Sequence, residues 1–185
     1  MAKKKSTTTF KVPDLDTTAP YMDYLAEGDY VLRVQDISQD IHYETRGDES
    51  TPRTGSSIVV RFEVYDVEST TSEYPPDSLM GVSYSERFYF MEEGHPKYSN
   101  PGNGKSNKTM GEQMCERAKK KLRTMLSHLV DLETGDVGVE VTEGGEFDAA
   151  EAIGRVVLGR VKEREDRREA GRIQNEVSSW AKPEV

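Results

Sequence analysis

Strict alternation in the segment SIVVRFEVYDV, residues 57–67, constrains this chain more than any other feature. Ile58, Val60, Phe62 and Val64 fall on one side of an extended chain, and Val59, Arg61, Glu63 and Tyr65 on the other, because successive strand side chains point to opposite faces. A helix would mix the two sets, so the stretch predicts a strand with one buried and one solvated face. Two further stretches repeat the pattern. In GDYVLRVQDI, residues 28–37, Tyr30, Leu32 and Val34 oppose Val31, Arg33 and Gln35. In VSYSERFYFM, residues 82–91, Tyr84, Glu86, Phe88 and Phe90 oppose Ser85, Arg87 and Tyr89, with Phe88 and Phe90 marking the core side.

The period then changes. TMGEQMCERAKKKLRTMLSHLVD, residues 109–131, places Met110, Met114, Ala118, Leu122, Met125, Leu126 and Leu129 at spacings of three and four. That spacing predicts an amphipathic helix, with Thr109 as its N-cap and Glu112 completing a capping box. Arg117, Lys119, Lys120, Lys121 and Arg123 fall on its outer face. A short helical piece is predicted in EFDAAEAIG, stopping at Gly154. Two strands close the chain, GRVVLGRVKE (154–163) and GRIQNEVSSW (171–180), separated by REDRREA, which is too long for a tight hairpin. The first twenty-two residues are rich in Lys, Thr and Pro and show no period, which predicts a flexible arm before a single domain spanning 23–185. Its lysines, Lys3, Lys4, Lys5 and Lys11, suit either a phosphate backbone or a solvated terminus.

Three strands, a helix and two strands is the order of the OB-fold, a mainly β architecture built on a five-stranded, partly open barrel with a helix between strands 3 and 4. In that fold the loops between strands 1 and 2 and between strands 4 and 5 flank an oligonucleotide site. Here those loops are expected at 38–56 and 163–171. The first holds His42, Tyr43, Arg46 and Arg53; the second carries or adjoins Arg160, Lys162, Arg164, Arg167, Arg168 and Arg172. The outward strand faces add Arg33, Arg61, Tyr65, Arg87 and Tyr89. Cations interleaved with rings are what a single strand needs, since cations neutralise phosphates and rings stack on unpaired bases. The linker between strand 3 and the helix, 91–110, is rich in Gly, Asn, Pro and Ser, which predicts a mobile loop. Lys97, Tyr98, Lys105 and Lys108 suit it equally to a flap over a bound strand or to a plain connector.

Each feature also has a structural reading. Arg61 beside Glu63 and Arg87 beside Glu86 fit ordinary solvent-facing charge, and Tyr65 and Tyr89 fit cross-strand pairing. In KEREDRRE the arginines alternate with acids, which fits a self-neutralised loop. The chain as a whole carries a formal charge of -9, and seven acids with no Lys or Arg lie between 132 and 152. That segment reads as a solvated acidic loop and helix start or, in a second reading, as a protein-docking or nucleic-acid-repelling surface. An acidic body still bears a basic groove where charges are unevenly placed.

Enzyme classes find little footing. Cys115 is the only cysteine and sits in the amphipathic helix; His42, His95 and His128 are scattered. Neither a nucleophile with its base nor a metal-ligand spacing emerges, so no enzymatic activity, cofactor or metal is predicted. One cysteine excludes an intramolecular disulfide, and no apolar run approaches the roughly 18 residues of a membrane span. A soluble, cytoplasmic protein is expected.

The segments EGDYVLRV, IVVRFEVYD, AIGRVVLGRVKER and NEVSSWAKPE resemble phage-encoded single-stranded-DNA-binding proteins with an OB-fold, over residues 28–184. The resemblance implies sequence-independent coating and protection of single-stranded DNA during phage replication and recombination, in the host cytoplasm, with presentation of the strand to phage or host polymerases and recombinases. It carries no catalytic residue. Many such proteins end in an acidic tail, whereas this chain ends in WAKPEV. The competing expectation is an OB-like module that binds a replication protein and never touches DNA.

Overall fold

The computed structural model describes residues 25–104, 107–165 and 173–184. The arm expected at 1–22 lies outside them. Five antiparallel strands form one sheet in the order β3-β2-β1-β4-β5: β1 Gly28–Tyr43, β2 Arg53–Thr70, β3 Ser83–Met91, β4 Val156–Glu165 and β5 Ile173–Ala181. Three helices accompany it, α1 Pro76–Leu79, α2 Met110–His128 and α3 Ala149–Ala152. Every predicted strand is present, and α2 opens on the expected capping box: Thr109 Oγ1 accepts from Glu112 N–H while the Glu112 carboxylate accepts from Thr109 N–H.

The strand register follows the alternation. Leu32 pairs with Val64, Val34 with Phe62, and Phe62 in turn with Tyr84, so the apolar set of each strand reaches the same face. Leu122, Met125 and Leu126 of α2 close that face, with Val157, Val161 and Val177 from β4 and β5. Phe62 sits between Tyr84 and Trp180, at ring-centroid distances of 6.3 Å and 5.6 Å. Burying a side chain of this size contributes roughly 1.5–3 kcal/mol. On the opposite face a smaller cluster forms, in which Val31, Val130 and Val156 pack with Tyr65 and Leu158.

The expected partly open barrel is not established, because the sheet does not close on itself. β3 and β5 are the two edges of the sheet, and no ladder joins them among the described residues. Side chains occupy the seam instead. Glu86 of β3 is buried, accepts from the Tyr84 hydroxyl at 2.6 Å and accepts from the Val177 N–H of β5. Lys121 of α2 donates to Glu176 at 2.5 Å, and Arg164 donates to the same carboxylate at 3.3 Å. A polar chain thus stands where backbone pairing would close the sheet, and an opening of about 240 Å³ remains beside it.

Two loop expectations change as well. β1 and β2 run on to pair Tyr43 with Arg53, so the connection expected at 38–56 shrinks to 44–52. The linker expected to be mobile is docked on α2: Met110 N–H donates to Asn100 O, Gly111 N–H to Tyr98 O, and Asn103 N–H to the Gln113 side chain. Its short turns satisfy the backbone groups that an open flap would leave to water.

Candidate nucleic-acid interface

The outer face of β1, β2 and β3 is fixed by the same register that fixes the core. With Phe62, Val64 and Tyr84 inward, Arg61 and Glu63 of β2 and Ser85 and Arg87 of β3 must point outward. Arg61 lies opposite Ser85, and Arg87 opposite Val59, so the two arginines stand one diagonal step apart. A register shift between Val34 and Asp36 sets Asp36 opposite Arg61. Arg33, opposite Glu63, continues the face on β1.

The charges on this face differ in availability. Arg61 is exposed and has no ion pair among the described residues. Arg87 is half-exposed and donates to Asp40 at 2.9 Å. Arg33 lays its guanidinium 4.2 Å from the centre of the Tyr65 ring. That contact occupies one side of the ring, and the small outer cluster holds Tyr65 from beneath. Tyr65 therefore works as a platform for Arg33. It is not a bare stacking surface for a base.

Tyr89 is tied down in another way. Gly55 pairs with Met91 beside it, and a Cβ at Gly55 would come within 2.6 Å of the Tyr89 hydroxyl. Only glycine lets the phenol cross β2 here. Its hydroxyl donates to Thr54 O at 3.3 Å, and its ring meets the His42 imidazole edge-on at 5.4 Å. Burial raises the Tyr89 hydroxyl above its ordinary pKa, with Cys115 and Glu92 adding to the effect. His42 is also 2.8 Å from Ser57 Oγ, but Ser57 is fully buried, so the pair ties β1 to β2 and offers no accessible nucleophile.

At the hairpin end the face opens into a concavity of about 850 Å³, where Tyr43, Arg46 and Arg87 meet Asp40, His42 and Glu49. Arg46 is exposed and carries no ion pair among the described residues. Arg53, across the hairpin from Tyr43, donates to Glu92 at 2.9 Å.

The remaining expected residues spread further. Arg160 of β4 pairs with Asp29 of β1 in the ladder and grips its carboxylate through Nε at 2.7 Å and Nη2 at 3.2 Å. The Arg160 hydrogen bond holds Asp29 below its ordinary pKa, against a smaller opposing effect of burial. Lys162 is exposed on β4, and Arg164 belongs to the seam with Glu176. Lys97 is exposed in the linker turn, while Tyr98 lies against Gly111 of α2, so that ring is a packing element and not a stacking one. Lys105, Arg167, Arg168 and Arg172 lie outside the described residues.

The structure thus gathers Arg33, Tyr43, Arg46, Arg61, Tyr65, Arg87 and Tyr89 on one side of the β1–β2–β3 sheet. It sets Tyr98 apart from them, while Arg164, across the seam, lines the same opening as Arg87 and Tyr89. What the sequence reading missed is the set of acids that engage the cations: Asp29, Asp40, Glu92 and Glu176. The sequence period hid Asp40: the outward set Val31, Arg33, Gln35 continues to Ile37, Gln39 and Ile41, and only the register shift between Val34 and Asp36 turns Asp36 and Asp40 outward.

Among the described residues, no group of three or more His, Cys, Asp or Glu side chains is arranged to hold a metal ion. No helix among them is long and apolar enough to cross a membrane. Comparison with protein-family models and with curated proteins finds no match.

Proposed function

We propose that this protein binds single-stranded DNA without sequence preference, along the outer face of β1, β2 and β3, and coats it during phage replication and recombination. One observation carries the reading: the β2–β3 register sets an exposed Arg61, with no ion pair among the described residues, a diagonal step from Arg87, in line with Arg46 and Tyr43 at the hairpin and Arg33 on Tyr65. From Arg53 to Tyr65 the strand β2 spans roughly 40 Å at about 3.3 Å per residue. That length accommodates several nucleotides, within the roughly 4–16 that a single OB-type module occupies. The strand order, with α2 between β3 and β4, supports an OB-type sheet whose β3–β5 seam is open.

Anisotropy of labelled oligo-dT, with blunt duplex as the comparison, tests the proposal. Tighter binding to oligo-dT, weakening steeply with salt, is the expected result, because each neutralised phosphate releases counterions. Equal binding to both, or binding to neither, overturns it.

A second reading has its own support. Arg53, Arg87, Arg160 and Arg164 are each engaged by a carboxylate, which suits a module that docks on a replication protein without touching DNA. Arg61→Glu/Arg87→Glu separates the two. A DNA binder loses affinity for oligo-dT while its circular dichroism and melting stay unchanged; a protein-docking module has no such affinity to lose.

A further inference from the structure

On the far side of α2 from the seam lies a groove of about 540 Å³, floored by Ile58, Phe90, Leu122, Leu126 and Phe147. Its two walls carry opposite charge. Lys119 and Arg123 of α2 stand on one, exposed and without an acidic partner among the described residues. The other wall is the middle of the acidic stretch, where residues 142–146 form a tight turn: Gly145 N–H donates to Thr142 O and Thr142 N–H to Glu146 O, both at 2.9 Å. Glu143 lines the groove from this turn, and Glu146 is exposed beside it. Backbone contacts from Gly138 and Val139 to Leu129 and Leu126 anchor the acidic stretch along α2, so the two walls keep a fixed spacing.

We infer that this surface is a two-fold interface between copies of the chain, in which the 142–146 turn of each copy enters the groove of the other. A uniformly acidic or uniformly basic partner would be repelled by one wall. The complement of a cationic wall beside an acidic one is the same pair inverted, and a two-fold axis supplies that from an identical surface. Concave floors alone would leave a void between copies; the projecting turn is the convex element that fills it. Glu143 and Glu146 of one copy then face Lys119 and Arg123 of the other, over an apolar centre whose burial drives association. The contact is independent of the outer face of β1–β3 and of the DNA reading.

Charge exchange tests it on the full chain. In sedimentation velocity the native protein is expected to run at twice the mass of one chain, while Lys119→Glu/Arg123→Glu and Glu143→Lys/Glu146→Lys each run as monomers. An equimolar mixture of the two variants should regain the dimer, because each wall again meets its opposite. A monomeric native protein, variants that remain dimeric, or a mixture that stays monomeric overturns the inference. As a check free of substitutions, carbodiimide treatment of mixed light- and heavy-isotope native chains should join Lys119 to Glu143 or Glu146 between chains. Inter-chain links found only elsewhere overturn it too. Both variants are expected to bind oligo-dT if the DNA reading holds, so failure of one idea leaves the other standing.

Discussion

Glu86 is an acid on the core face of β3, buried between Tyr84 and the β5 edge. Burial raises its pKa, and the Tyr84 hydrogen bond, Lys121 and the Val177 N–H only partly offset that. A carboxyl whose folded pKa lies above its unfolded value binds protons more readily when folded, so it favours folding below the unfolded value. That contribution is lost as pH climbs from about 4.5 toward the raised value. Glu86→Gln removes the titration. The unfolding free energy of the native chain, measured by urea denaturation against this variant across pH, should fall through that window at up to about 1.4 kcal/mol per pH unit. Parallel curves would contradict the burial argument. Arg61 gives a second prediction at this scale: Arg61→Ala should make the log-affinity against log-salt plot for oligo-dT shallower by roughly 0.7, the loss of one phosphate contact. Arg53→Ala should change it less, since that guanidinium is already held by Glu92. The outward position of Arg61 was legible in the alternation of 57–67. Its lack of an ion pair among the described residues was not, because Asp40 and Glu92 meet Arg87 and Arg53 across strands, and pairing register is absent from the sequence.

Among the elements, those with a strongly periodic apolar side were readable. Phe62, Val64 and Leu32 announced their faces, and Thr109 with Glu112 announced the start of α2. The far half of the β1–β2 hairpin was not, because it projects beyond the core: Ile41 is exposed, and both sides of 39–43 lack an apolar set. Strands without a buried face leave no hydrophobic period. α1 was invisible for a different reason, since four residues anchored by Leu79 alone make less than one repeat. The linker before α2 shows how composition misleads. Its Gly, Asn and Pro predict mobility, yet Tyr98 covers Gly111 so closely that a Cβ there would lie 2.1 Å from a ring carbon. Gly111→Ala should therefore destabilise the protein by about 1–3 kcal/mol in urea unfolding, as overpacking does. The same substitution placed in a Tyr98→Ala background should lose most of that effect, and an undiminished penalty would place the strain elsewhere.

For the molecule as a whole, one sheet serves two sides with different tasks: an interior sealed by α2, and an outer face where charge is arranged by strand pairing. The order of the five strands and α2 along the chain was legible. The open seam was not, because it depends on Glu86, Lys121 and Glu176 meeting across residues distant in the chain. Trp180, the only tryptophan, belongs to the interior side: it lies opposite Gly159, packs on Phe62, and its indole N–H has no hydrogen-bond partner among the described residues. An indole in so dry a setting emits at short wavelength and shifts to the red only when water reaches it. The protein therefore carries its own optical gauge of core integrity. Its emission maximum should stay fixed while oligo-dT saturates the opposite face and should move only on unfolding, so loss of grip and loss of fold can be told apart in one cuvette.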